Sequence, residues 1–95
     1  MNTERLLATG ARGVHLLFDR EMIASAFRQD AATLRRVVDA RLPEIQHAAV
    51  QLLELESADD GRAFVAELPT EVRHVIVLLY FELLDDRLRR SETRH

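Results

Sequence analysis

Apolar residues recur along this chain mainly at spacings of three and four, the signature of helices with one buried face, and the pattern breaks at a few identifiable residues. Thr3 is placed to cap a first helix, with Glu4 in its opening turn where a carboxylate meets the positive helix end. Gly10 and Gly13 then interrupt the pattern. Glycine in a helix interior costs about 1 kcal/mol relative to alanine, so a kink or break near residues 10–13 is expected. Val14, Leu17, Phe18, Ile23 and Phe27 resume helical spacing, which predicts helix over 14–28, with Asp19 as an alternative cap for a fresh start. A short strand over 13–18 paired with Val75–Phe81 is the competing pattern, and an isolated strand pair is marginal in water.

Asp30 is a good cap for a helix through about Arg41, whose Leu34, Val37, Val38 and Leu42 form one stripe. Pro43 is expected to end it and to open the next helix, about Glu44 to Glu56, burying Ile45, Ala49, Leu52 and one of Leu53 or Leu55. Ser57–Gly61 has loop composition. A short helix over about 60–67 carries Phe64 and Val65, with Leu68 and Pro69 just beyond it. The last helix starts at Thr70 or Glu71 and runs to about Arg90. Positions 72–84 of it are apolar except for Arg73, His74 and Glu82, and a helix apolar nearly all round must be covered nearly all round.

These elements predict an all-α fold: a single domain over 1–95, built as a compact bundle of four to five helices with the last one central or at a dimer interface. Three glycines and two prolines are too few for the turns of an all-β fold. In so short a chain a second copy is the economical cover for the last helix. The predicted partner surface is Val72, Val75, Ile76, Leu78, Leu79, Phe81 and Leu83 in a homodimer. Arg36–Pro43 also aligns with Arg62–Pro69, and Glu44-Ile-Gln-His47 with Glu71-Val-Arg-His74 after one inserted residue, a pattern of helix, proline break and helix that either duplication or independent Leu-Pro starts produce.

The segment Leu68-Pro-Thr-Glu-Val-Arg73-His-Val75-Ile-Val-Leu78-Leu-Tyr80-Phe81-Glu82-Leu-Leu84 resembles the helix that opens the fourth region of bacterial sigma factors. In that family the helix supports a helix-turn-helix that reads promoter DNA. Here Asp85-Asp-Arg-Leu-Arg-Arg-Ser91 follows instead, so the resemblance implies a buried supporting helix and no promoter reading.

Composition narrows the function classes. No apolar run approaches the eighteen residues that span a bilayer, and no secretory signal is visible, so a cytoplasmic protein without membrane contact is expected. The absence of cysteine removes disulfide scaffolds, thiolate zinc sites and cysteine nucleophiles. All thirteen basic residues are arginine, a bias that a guanine- and cytosine-rich genome produces through codon usage. The net charge of −3 is segregated: residues 1–42 carry +2, residues 43–86 carry −8 and residues 87–95 carry +3. An acidic middle repels phosphate backbones.

Two Glu-x-x-His motifs, Glu44 with His47 and Glu71 with His74, match the count of a ferritin-like di-iron site if Glu21 and Glu67 add carboxylates. Both motifs fall in the first turn after a proline, and Glu44, His47, Gln51 and Glu54 form a polar stripe that faces solvent. No metal and no cofactor is therefore expected. No Gly-rich phosphate loop, nucleophile elbow or zinc helix is present, and the acidic pairs lie at helix ends or loops. His15, beside apolar residues, reads as structural rather than as a general base, and no enzyme activity is expected. The basic tail, Arg87, Arg89, Arg90 and Arg94 with Arg35 and Arg36 elsewhere, is the basis of an alternative reading as a nucleic-acid-associated regulator. Arginines at a helix carboxyl end also oppose its dipole. The leading expectation is a non-enzymatic protein-interaction module, an adaptor, chaperone or regulator, acting through apolar helix faces.

Overall fold

A computed structural model describes residues 2–92, and within them the chain forms five helices and no strand: α1 (Thr3–Ala11), α2 (Arg20–Phe27), α3 (Ala31–Glu54), α4 (Ala58–Glu67) and α5 (Thr70–Glu92). The expected all-α bundle is the fold. Helix α5 is its centre, packed on by α1, α2 and α3, while α4 lies against α3. No helix among the described residues is long and apolar enough to cross a membrane.

Each of the first four helices opens on a short polar side chain that accepts a backbone N–H three residues on, filling one of the donors left open at a helix start. Asp19 accepts from Met22 at 2.8 Å, Asp30 from Thr33 at 2.7 Å and Ser57 from Asp60 at 3.1 Å. At the first start the cap is Asn2, which accepts from Arg5 N–H at 3.1 Å, and Thr3, expected as the cap, is the first helical residue. The Thr33 donors also hold the Asp30 carboxyl below its ordinary range.

Two further expectations are corrected, and a third is met by a kink. Residues 14–28 are not one helix: Gly13 turns the chain at a φ of 90°, residues 14–18 are irregular, and the Asp19 cap makes the fresh start. This segment is pinned by side chains, with Leu17 and Phe18 in the core and Arg62 donating to the Leu16 carbonyl at 3.1 Å. The break expected at Pro43 is present as a kink two residues earlier, where two helical segments meet. Arg41 adopts φ −128° and ψ 25°, so α3 kinks there and resumes with Pro43 in its first turn, where a missing N–H costs little. Ser57–Gly61 is not a loop but the capped first turn of α4, with Asp59 and Asp60 facing the positive helix end and Gly61 buried. The strand alternative also fails, since Val75–Phe81 is helical.

Val65, Val72 and Val77 are fully buried, with Leu17, Phe18, Ala26, Ile45, Ala48 and Leu52 around them. In the second half of α3 it is Ala48, rather than Ala49, that is fully enclosed. Two close approaches set the geometry around α5. A Cβ on Gly10 would collide with the Tyr80 hydroxyl, so glycine lets α1 cross directly over α5. Arg73 donates to the carbonyls of Val65, Ala66 and Leu68 at 3.0–3.1 Å, so a side chain from α5 satisfies the open carboxyl end of α4.

Candidate functional site

The kink at Arg41 lets both halves of α3 run beside α5, and they leave an apolar groove between them. One stretch is a cavity of about 340 Å³ lined by Leu34, Val38, Leu42, Ile45, Val75, Leu78, Leu79 and Glu82. The other, about 130 Å³, is lined by Ala49, Leu52, Leu53, Ile76, Leu79, Tyr80 and Leu83, closed by Thr3, Leu6 and Leu7 of α1 and by Leu17 and Phe18. Leu79 belongs to both stretches. Leu42, Leu53, Leu79 and Leu83 are 43%, 47%, 38% and 48% exposed, and neighbouring Val50 is exposed too, so the groove opens to solvent as a contiguous apolar surface.

Of the residues expected at a partner surface, Leu79 and Leu83 lie in this groove and are exposed. Val72, Val75 and Ile76 are buried in the chain's own core, and Leu78 is half-buried at the groove wall. Phe81 points roughly the opposite way from Leu79, as two residues at 100° each require, and is half-buried against Phe27 and His15 with ring centroids 5.3 and 5.0 Å away. The chain's other helices therefore cover most of the circumference of α5, and what they leave open is narrower than the seven-residue face. Leu42 and Leu53 of α3 belong to the groove and were not among those seven. The i, i+3, i+4 ladder Leu34, Val38, Leu42, Ile45, Ala49, Leu53 is the signal that marks them.

The Glu-x-x-His residues are not assembled. Among the described residues no three His, Asp, Glu or Cys side chains gather as a metal site. Glu44 is bonded to Arg41 at 2.7 Å and Glu71 to the same guanidinium at 3.4 Å, so the two carboxylates serve the kink. That pairing holds the Glu44 carboxyl below its ordinary range and raises Arg41. His47 and Glu67 are exposed, Glu21 pairs with Arg28 at 3.0 Å, and His74 shares a 2.9 Å hydrogen bond with Ser25. The two Leu-Pro positions also differ, a kinked helix at Leu42-Pro43 and a break at Leu68-Pro69.

His15 is held by Tyr80, Nδ1 to hydroxyl at 2.8 Å, and is half-buried in the core edge. Burial pushes the Tyr80 phenol above its ordinary value, so it stays protonated at neutral pH. The basic tail is neutralised locally: Arg87 donates to Glu4 at 3.1 Å, Arg89 pairs with Asp85 and Arg90 with Asp86, each at 2.9 Å. Arg94 lies outside the described residues. Of the remaining cations, Arg28, Arg41, Arg62 and Arg73 bond carboxylates or carbonyls, and Arg36 bonds Thr33 at 3.3 Å. Arg35 stands exposed beside the groove-lining Leu34, with no hydrogen bond or ion pair among the described residues.

Comparison with protein-family models, with curated proteins and with solved structures finds no match to this chain.

Proposed function

We propose that this protein is a non-enzymatic protein-interaction module that works as a homodimer, the two copies meeting through the α3–α5 groove. The observation that supports the reading is the exposure of Leu42, Leu53, Leu79 and Leu83 along one continuous apolar channel. Covering about 400 Å² of such surface contributes roughly 10 kcal/mol, against association costs of about 4–15 kcal/mol, so a lasting pair needs the groove covered along its length. The cytoplasm is the compartment proposed for it, and adaptor, chaperone or regulatory work the role. The nucleic-acid reading has less support, because Arg87, Arg89 and Arg90 face carboxylates of their own chain.

Sedimentation equilibrium tests the proposal. The expected mass is twice the 10.9 kDa of one chain, falling to a single copy in Leu79→Asp with helix content unchanged. A single-copy mass for the natural sequence at every concentration ends the dimer reading.

A further inference from the structure

Closing the groove carries an electrostatic cost that depends on what closes it. Glu82 is the one charged side chain lining either stretch, and it has no hydrogen bond or ion pair among the described residues. Any apolar surface laid over Leu78 and Leu79 strips water from this carboxylate, and an ionised group desolvated without a partner is expensive. The occupant must bring a cation to that place. A second copy carries one: Arg35 is unengaged and stands on α3 next to Leu34, which lines the same stretch as Glu82. Among the described residues the other arginines whose side chains are unengaged are Arg5 and Arg12 on or beside α1 and Arg20 on α2.

Resting on the dimer reading above, we propose that the second copy docks about a two-fold axis across the Leu34–Glu82 stretch, with Arg35 of each copy bonded to Glu82 of the other. In such an interface residue i meets j and j meets i, so one complementary pair is made twice. A guanidinium forks onto a carboxylate with two donors, which fixes register as well as charge. The pairing explains why an apolar groove keeps an acid in its wall: the acid selects a cationic occupant and rejects apolar surfaces that lack one.

Charge reversal tests this with the full chain. Glu82→Arg and Arg35→Glu each place like charges opposite one another in a homodimer, and each is expected to raise the dimer dissociation constant at least about tenfold. Mixing the two variants in equal amounts is expected to restore dimers as the heterodimer, whose two contacts are both Arg against Glu, and the double variant is expected to restore the homodimer. Both positions are exposed in the single copy, so circular dichroism is expected to report unchanged helix in each variant. If the natural dimer forms and Leu79→Asp dissociates it, yet the reversals leave it intact or mixing fails to rescue it, the Arg35–Glu82 pairing is overturned and the dimer stands. If the natural chain is a single copy throughout, both fall.

Discussion

On one side of α5, Val77, Tyr80 and Leu84 are sealed by the chain's own helices; on the other, Leu79 and Leu83 stay open although α3 runs alongside. The residue types on the two sides are alike, so the difference lies in which neighbours each side meets. On the sealed side Gly10 removes a Cβ where α1 crosses, and the Tyr80 hydroxyl sits against the bare backbone and reaches His15. Helix α3 contains no glycine, and its leucines line a channel beside α5 that stays open to solvent. One helix thus supplies both a core and an exposed apolar edge.

The largest effect is expected where the seal is thickest. Tyr80→Ala removes a buried ring that packs on Phe18 and Phe81 and strands the His15 ring nitrogen, and is expected to cost roughly 3–5 kcal/mol in urea unfolding. An unfolding midpoint close to that of the natural protein contradicts a closed α1–α5 contact. Gly10→Ala examines the same contact from the other helix. Overpacking costs about 1–3 kcal/mol and alanine regains about 1 kcal/mol of helix propensity, so a net loss of no more than about 2 kcal/mol is expected. Combining it with Tyr80→Phe, which deletes the colliding hydroxyl, is expected to recover part of that loss, and strict additivity of the two changes speaks against the collision.

On the open side the expectation reverses. Leu83→Asp is expected to alter the stability of the single copy by no more than about 0.5 kcal/mol, because the residue is half exposed and away from the core. Its effect belongs in association, read as a loss of mass by light scattering. A large drop in folding stability with an unchanged mass identifies the face as core margin instead of interface.

How much of this was legible before the fold depends on the range over which each feature is decided. Asp19 and Asp30 act on an N–H three residues away, and both starts are readable from a polar side chain ahead of an apolar ladder. Gly13 likewise announces its turn. Ser57-Ala-Asp-Asp-Gly61 misleads because a capped first helical turn and a polar loop use the same residues: a short polar acceptor, then acids. Pro43 reads correctly as the place where one helical segment gives way to the next, because a proline fits the first turn after the kink at Arg41, where its missing N–H costs little. The paired Glu-x-x-His spacing is real in the chain, but its carboxylates are spent on Arg41, a contact of Glu71 across thirty positions that no local pattern predicts. The same limit applies to the groove. Val75 and Leu79 are equivalent one turn apart in sequence, and only the packing of the other helices on α5 decides that the first is buried and the second is not.

The smallest effect expected concerns His74, on the sealed side at the amino-terminal end of α5. Burial is the main reason its imidazole sits below the ordinary 6.5, with the Arg73 and Arg28 charges adding to the effect and Glu71 opposing it. Ser25 Oγ, 2.9 Å from Nε2, can donate to a neutral ring or accept from a charged one, so this hydrogen bond does not by itself favour either form. A histidine depressed by folding takes up its proton more readily in the unfolded chain. Its contribution is therefore fully present above pH 6.5 and is lost as the pH falls from there through the folded value. Unfolding free energies measured between pH 7.5 and pH 5 are expected to decline across that window and to decline less in His74→Gln, which keeps a hydrogen-bonding group toward Ser25 without the titration. Equal slopes for the two proteins would place the acid sensitivity elsewhere, with the carboxylates at Arg41 the first to test: Glu44, held low by that guanidinium, loses its contribution only at more acidic pH, so the two sources separate along the pH axis.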